Sequence, residues 1–165
     1  MDALYYIQKL GLIKHPEGGY YKEIYRSEEL FKKGQLPQRY GGERNISTSI
    51  YYLLENDEFS AFHKLKSDEI WHFYKGSSAT IYMIDEKGVL SEFFIGDNLD
   101  KNELLQVIIK KGTWFAVCIN KPCSFILVGC TVAPGFNFDD FEIGKRDELL
   151  KLFPDLEKVI TRLTF

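Results

Sequence analysis

The stretch that decides the fold is 59-FSAFHKLKSDEIWHFYKG-76, which carries two of the three histidines and one of the two tryptophans in the chain. It consists of two runs, residues 60–65 and 69–74, that are rich in aromatic and apolar residues and are separated by a polar turn. Such runs predict two neighbouring β-strands. The few polar side chains within them are therefore expected to face an apolar cup.

The alternation of side chains along a strand sorts these polar groups by face. His63 shares one face of its strand with Leu65, and Glu69 shares one face of the next strand with Trp71. His72 falls on the opposite face from Glu69. If Glu69 points into the cup, His72 points away from it unless a β-bulge turns it inward.

Strand signals recur on both sides of this stretch. Eight or more short strands at this spacing predict an all-β sandwich or barrel, and a chain of 165 residues fits one domain over residues 1–165. Helical spacing of apolar residues is confined to the two ends. The predicted strands are 20–27, 46–54, 60–65, 69–74, 80–84, 90–95, 104–109, 114–119 and 123–132, and the predicted helices are 2–10, 147–153 and 155–163.

The composition is that of a folded, acidic protein. Hydrophobic residues make up 45% of the chain and aromatic residues 15%, with a formal net charge of −3. A net acidic chain disfavours nucleic-acid binding, and no apolar run reaches the roughly 20 residues that span a bilayer. Three cysteines leave one thiol unpaired, which favours a reducing compartment. We therefore expect a cytoplasmic protein with no nucleic-acid partner and no membrane partner.

Five blocks of the chain resemble one cupin family that is catalogued as a domain of unknown function. The blocks are HPEGGYY (15–21), STSIYYLL (47–54), DEIWHFYKG (68–76), KGTW (111–114) and VGCTVAPGFNFDDFEIG (128–144). The resemblance implies a double-stranded β-helix, the cupin jelly roll, similar to dTDP-sugar epimerase-like and auxin-binding-protein-like cupins. It also implies pairing into a homodimer, which an open strand edge at residues 20–27 would favour.

The resemblance carries over the cupin metal site only in part. A metal-binding cupin presents three histidines and one glutamate, and the matching positions here hold His63, Leu65, Glu69 and Phe115. Two of these side chains have no donor atom, and two protein ligands hold a divalent transition metal weakly. We therefore expect no metal cofactor, and a divalent metal held by His63 and Glu69 is the less favoured alternative.

Without a metal, His63 and Glu69 form a pair suited to proton transfer. A carboxylate beside an imidazole raises its basicity and fixes its tautomer. Metal-free epimerase-type cupins, which this chain resembles, use a histidine as base and a tyrosine as the opposing acid. The candidate tyrosines here are Tyr51 and Tyr82. The competing interpretation is that His63 and Glu69 satisfy each other's hydrogen bonds within a core.

Aromatic residues are expected to line the ligand-binding cup, because small-molecule sites combine aromatic walls with a few polar groups. The candidates for ligand binding are Trp71, His72, Thr48, Trp114, Phe136, Phe138 and Gly19. Core packing is the simpler explanation for any one of these aromatic residues taken alone. Gly19 belongs to a glycine pair that also suits a turn.

The sequence therefore predicts a small-molecule-binding cupin of undetermined activity. Its most concrete form is a metal-free isomerase or epimerase that acts on a sugar or a similar small polar substrate, with His63 as the base. The alternatives are a non-catalytic module that binds a hormone or a sugar, and a metal-dependent cupin enzyme. The likeness of fold does not choose among them, because one fold hosts many chemistries.

Overall fold

Two large antiparallel β-sheets, a small two-stranded sheet and short helices at both ends form the structure, a computed structural model that describes residues 2–165. The predicted all-β class with terminal helices is confirmed. The helices are α1 (Ala3–Leu10), α2 (Arg146–Leu152) and α3 (Glu157–Arg162). The strands are β1 (Ile13–Lys14), β2 (Tyr20–Arg26), β3 (Leu30–Phe31), β4 (Arg44–Asn45), β5 (Thr48–Glu55), β6 (Phe59–Leu65), β7 (Asp68–Gly76), β8 (Ala79–Ile84), β9 (Leu90–Ile95), β10 (Gln106–Ile109), β11 (Trp114–Ile119), β12 (Phe125–Ala133) and β13 (Phe141–Ile143).

The strand order separates the two strands of the deciding stretch. The larger sheet has the order β1-β2-β5-β12-β7-β10, and the smaller sheet has the order β13-β6-β11-β8-β9. β6 and β7 follow each other in the chain but belong to different sheets. The expectation of two adjacent strands is therefore corrected, because the polar turn between them carries the chain from one sheet to the other.

The main core lies between the two sheets. Trp71 and Tyr52 of the larger sheet and Phe115 and Ile81 of the smaller sheet belong to one buried apolar cluster. Each of these side chains is almost fully excluded from solvent, and complete burial of a large apolar side chain contributes about 1.5–3 kcal/mol. This cluster holds the sheets together beneath the site described below.

Helix α1 covers part of the outer face of the larger sheet. Its N-terminus is capped by Asp2, whose carboxylate accepts a hydrogen bond from the Tyr5 backbone N–H at 3.0 Å. It ends at Gly11, which adopts the left-handed conformation that terminates helices, with φ of 66°. Its apolar face packs against Leu53 and Leu127.

Helices α2 and α3 cover the outer face of the smaller sheet. Leu149 of α2 and Ile160 of α3 are buried against Phe62 and Ala116. Because all three helices pack outside the sheets, the space between the sheets stays free for a cavity. In residues 2–165, no helix combines the length and the apolar character that crossing a membrane requires.

Four short strands escape prediction from the sequence: β1, β3, β4 and β13. Each has two or three residues, too few to display an alternating pattern. The most important is β1, because it pairs with β2 and converts the segment 15–19 from a simple turn into the loop of a hairpin. β1 also covers the edge of β2, but only over Tyr20 and Tyr21.

Candidate functional site

A cavity of about 470 Å³ lies between the two sheets. Its wall is built from β2, β5, β6, β7 and β12, from the β1–β2 turn, and from the segment 136–141. The polar side chains at its base, Glu17, Thr48, His63 and Glu69, are all at least nine-tenths buried. We call this cavity the cup.

The β1–β2 turn carries Glu17 into the cup. The turn is closed by a hydrogen bond from the His15 backbone N–H to the Gly19 carbonyl at 3.1 Å, and it is fixed to β6 because the Ala61 N–H donates to the Glu17 carbonyl at 2.8 Å. Gly18 and Gly19 both adopt positive φ. A side chain at Gly18 would overlap the Phe59 carbonyl, so only glycine allows this approach.

The carboxyl group of Glu17 lies at the centre of a polar cluster. Its Oε2 is 3.2 Å from His63 Nε2 and 3.3 Å from His15 Nδ1. Its Oε1 accepts a hydrogen bond from the Ser60 hydroxyl at 3.0 Å. We call His15, Glu17 and His63 the proton-sharing cluster.

The hydrogen bonds of the two imidazoles fix their tautomers. His63 Nδ1 lies 2.8 Å from the Ala61 carbonyl, and a carbonyl only accepts, so Nδ1 carries the proton and Nε2 presents a lone pair to Glu17. His15 Nδ1 accepts from the Glu17 backbone N–H at 3.3 Å, so it too presents a lone pair. A carboxylate oxygen between two lone pairs is repelled by both. One proton must therefore be shared among these three basic atoms.

Burial determines where that proton resides. Burial lowers the pKa of His63 to about 4 and also lowers the pKa of His15, against the opposing effect of the Glu17 carboxyl. Burial raises the pKa of Glu17, although His15 and Ser60 act in the opposite direction. The neutral arrangement, a carboxylic acid beside neutral imidazoles, is therefore favoured because no charge has to be buried.

Glu69 projects from β7 into the same cup but is not partnered in the same way. Its Oε2 is buried and has no hydrogen-bond partner among residues 2–165, and the same holds for Trp71 Nε1 two positions further on. Burial, and secondarily the nearby Glu17 carboxyl, raise the pKa of Glu69 to about 8, while the donors of Trp71 and Cys130 close to its carboxyl act in the opposite direction. Neither donor has the geometry of a hydrogen bond to Oε2. A pKa of about 8 favours the neutral acid form of Glu69 at pH 7.

Aromatic rings form the wall above these polar groups. Tyr21, Phe136, Phe138 and Phe141 all line the cup. The imidazole of His15 stacks on Phe138 at 6.2 Å and meets Tyr21 edge-on at 4.6 Å between ring centroids. Phe138 is 53% exposed, which places it at the rim. A flat or apolar part of a ligand would stack between these rings.

An ion pair also lies at the rim. Arg26 donates to Glu23 Oε2 at 2.7 Å, to Asn45 Oδ1 at 2.7 Å and to the Phe136 carbonyl at 3.2 Å. Both charged side chains are more than a third exposed. The guanidinium thus holds the β12–β13 segment against β2, and its charge is balanced by Glu23.

His63 and Glu69, which were expected to act together in proton transfer, both line the cup. The partner of His63, however, differs from the expectation. The carboxyl group beside His63 is that of Glu17, whereas Glu69 reaches the cup from the opposite sheet. The tautomer of His63 is fixed by the Ala61 carbonyl. The sequence could not show this, because strand alternation gives the direction of a side chain but not its partner across the sheets.

The two candidate tyrosines lie outside the cup. Tyr51 packs with the cluster under α1, and Tyr82 packs with the cluster under α2 and α3. The tyrosines that line the cup are Tyr21 and Tyr52, and Tyr52 is 1% exposed and donates to the Gly18 carbonyl at 2.8 Å. A substrate in the cup would therefore meet neither Tyr51 nor Tyr82, because strand alternation turns both away from it.

His72 and Trp114 also lie away from the cup. His72 Nε2 is 3.2 Å from the hydroxyl of Thr131 on the outer side of the larger sheet, as the alternation of β7 indicates. Trp114 is buried under the C-terminal helices, with the Lys64 ammonium 4.3 Å from its ring centroid. Neither side chain could contact a molecule in the cup.

The remaining predicted ligand-binding residues lie in or next to the cup. Thr48, Phe136 and Phe138 line it directly. Trp71 is 1% exposed and packs beneath it in the main core. Gly19 shapes the turn, since a Cβ there would lie 2.6 Å from the Leu53 carbonyl.

Sequence reasoning misses His15 and Glu17 as functional side chains. The segment HPEGG predicts a turn, which is correct for its backbone, but a turn prediction gives no role to its two titratable side chains. The available signal is a histidine and a glutamate placed next to paired glycines. Such a turn allows the backbone to approach another strand closely, and these side chains then point into whatever lies beneath it.

The residues at the cupin metal positions do not fit a metal ion. Leu65 and Phe115 offer no donor, and the Phe115 ring packs on the His63 ring at 4.0 Å between centroids. Both ring nitrogens of His63 already contact protein oxygens. No group of three or more His, Cys, Asp or Glu side chains in residues 2–165 has the geometry of a metal site.

Comparison with known proteins identifies relatives along the whole chain. The family model described as "Cupin superfamily (DUF985)" matches residues 4–144. A protein of Saccharomyces cerevisiae that is described as uncharacterized is 31% identical over 156 residues, which cover 89% of this chain and 77% of that protein.

Solved structures show the same fold. A crystal structure of a Shewanella oneidensis protein is 39% identical, with a TM-score of 0.91 over 100% of this chain and 98% of that chain. A hypothetical protein from Leishmania major is 31% identical, with a TM-score of 0.88 over 100% and 99% of the two chains. Oxalate decarboxylase from Bacillus subtilis is 16% identical, with a TM-score of 0.55 over 91% of this chain and 36% of that chain, a likeness of fold alone. The predicted jelly roll is confirmed.

Proposed function

The chain belongs to the cupin superfamily (DUF985), and we propose that its cup binds a small carbonyl compound and moves a proton on it, as a metal-free isomerase or epimerase does. The observation that carries this proposal is the Glu17 carboxyl between the lone pairs of His63 and His15. Glu17 is the member of the cluster that gains and loses the proton: its carboxylate form accepts a proton from a substrate, and its acid form returns it. The cup above the cluster is lined by aromatic rings and has room for a small substrate.

The proposed reaction removes a proton from the carbon next to a carbonyl group. The proton moves to the proton-sharing cluster, and the electron pair of the C–H bond moves to the carbonyl oxygen as an enol or enolate. Return of the proton to the same carbon or to its neighbour gives an epimer or an isomer. No oxidant or reductant is consumed.

Burial of the cluster suits it to this role. A base acts best when its pKa lies near the working pH, and burial raises the pKa of Glu17 above its ordinary value. His63 contacts Glu17 through Nε2 and the Ala61 carbonyl through Nδ1. These contacts allow His63 to position Glu17 as well as to act as a base itself. A base with this environment contributes typically about 10²–10⁴-fold to a rate.

The test is solvent exchange, because it can be run before the product has been identified. The protein is incubated in D₂O with a panel of aldoses, ketoses and aryl ketones, and loss of the proton signal next to the carbonyl is followed by NMR. We expect exchange of at least one compound above the buffer rate. Glu17→Gln keeps the hydrogen bonds of the side chain but removes its titration, and should lower that rate at least about 100-fold.

The matched control is Glu92→Gln, since Glu92 is an exposed glutamate on β9 that does not line the cup. It should exchange at the wild-type rate. Full exchange in Glu17→Gln would refute a role for the cluster as base. Binding of panel compounds without any exchange would instead identify a non-catalytic binding module.

A further inference from the structure

We propose that Glu69 recognises the ligand, donating a hydrogen bond from its unpartnered carboxyl to the carbonyl oxygen of the bound molecule. This inference rests on the proposed function, because it names the group that holds the substrate while the proton-sharing cluster acts on it. It assigns the two buried carboxyl groups of the cup to different tasks.

The first support is geometric. Glu69 is 7% exposed and lines the cup, and its Oε2 has no hydrogen-bond partner in residues 2–165. Buried polar atoms in folded proteins are nearly always paired, so an unpartnered carboxyl group that lines a cavity is suited to bind a ligand atom there.

The second support is the character of the neighbouring groups, which are donors. Thr48 Oγ1 already accepts the Phe136 backbone N–H at 2.9 Å, so its own hydrogen is available to donate. Cys130 brings a thiol to the same lining. Glu69, whose pKa is raised to about 8, adds a carboxylic O–H at neutral pH. Because these groups at the base of the cup are donors, they favour a ligand with an acceptor oxygen.

The charges that face Glu69 favour a neutral carbonyl over a carboxylate. Glu17 faces it from the β1–β2 turn, His63 from β6 and Cys130 from β12, and none of these is a cation in the neutral arrangement. On β2, the guanidinium of Arg26 is already paired with Glu23. A buried ligand carboxylate would therefore find no countercharge, which is costly.

The arrangement also fits the chemistry of proton removal. Negative charge grows on the carbonyl oxygen as the proton leaves, and a donor placed at that oxygen stabilises the transition state more than the ground state. A carboxylic acid that an apolar site keeps neutral can serve as this donor. Glu69 would thus hold the oxygen while the cluster receives the proton.

The experiment compares two probes of similar shape, acetophenone and ethylbenzene, by ligand-observed NMR titration of the full chain at pH 7. Both place a ring against the aromatic wall, but only acetophenone carries a carbonyl oxygen. We expect wild type to bind acetophenone about 10-fold more tightly. Glu69→Gln retains an N–H donor and should keep the preference, whereas Glu69→Leu should lose it. Glu92→Gln should behave as wild type.

Equal affinity for the two probes in wild type, no binding of acetophenone, or an undiminished preference in Glu69→Leu would each overturn the inference. Circular dichroism of both variants confirms that they fold. The result is separate from the exchange test. A preference for acetophenone without solvent exchange would support the role of Glu69 but refute the proposed function. Solvent exchange that persists in Glu69→Leu would support the proposed function but refute the role of Glu69.

Discussion

The two buried carboxyl groups of the cup differ in how fully the protein satisfies them. Glu17, on the turn, has contacts to Ser60, His15 and His63, whereas Glu69, on β7, leaves an oxygen without a partner. The two groups are about equally excluded from solvent. Equal burial therefore does not imply an equal role. A group with partners holds structure together, and a group without them reduces stability in the free protein.

Removal of the Glu17 side chain should have the largest effect on the free energy of unfolding. Glu17→Ala leaves Ser60, His15 and His63 without their common partner and removes the side-chain contacts between the turn and β6. We expect a loss of about 3 kcal/mol in the free energy of unfolding, measured by urea denaturation. Glu23→Ala is the control, because Glu23 is a half-exposed glutamate at the same cup, and it should lose less than about 1 kcal/mol. Equal losses in both variants would contradict this assignment.

Removal of Glu69 should act in the opposite direction. Glu69→Leu deletes a buried carboxyl with an unpaired oxygen, and we expect it to raise the free energy of unfolding by about 1 kcal/mol at pH 8. The measurement is urea denaturation of wild type and variant in parallel. A clear loss of stability at pH 8 would show that Glu69 is as well partnered as Glu17.

The gain in Glu69→Leu should depend on pH with a defined sign. The pKa of Glu69 is about 8 in the folded protein and 4.5 as its reference value. Between these values the folded state binds more protons than the unfolded state, so the contribution of Glu69 to stability is lost as pH rises through this window. The difference between variant and wild type should therefore grow from pH 4.5 to pH 8 and then level off. A difference that is constant with pH would contradict the raised pKa of Glu69.

The smallest expected effect concerns two neighbouring tyrosines on opposite faces of β5. Tyr52→Phe removes the hydroxyl that donates to the Gly18 carbonyl and should lower the free energy of unfolding by about 1 kcal/mol. Tyr51→Phe should change it by less than about 0.5 kcal/mol, because its hydroxyl lies outside the cup. If the two variants lose the same stability, the Tyr52 hydrogen bond does not hold the turn that carries Glu17.

The sequence predicts the long strands well because each of them displays a local alternating pattern. It also places His63 and Glu69 on inward faces and His72 on an outward face, since alternation alone decides this. It could not predict that β6 and β7 belong to different sheets. The contact between Glu17 and His63 was equally inaccessible, because it joins residues 46 positions apart through a turn whose path depends on the completed fold.

The hairpin formed by β1, β2 and the HPEGG turn has a consequence for how such a site can be altered. The walls of the cup come from the two sheets, but two members of the proton-sharing cluster, His15 and Glu17, arrive on five consecutive residues at the N-terminal end. Two of the three side chains to which we assign proton transfer therefore lie on one short loop, and only His63 comes from a sheet. Exchange of residues 15–19 between relatives would replace His15 and Glu17 while the aromatic wall stays as it is.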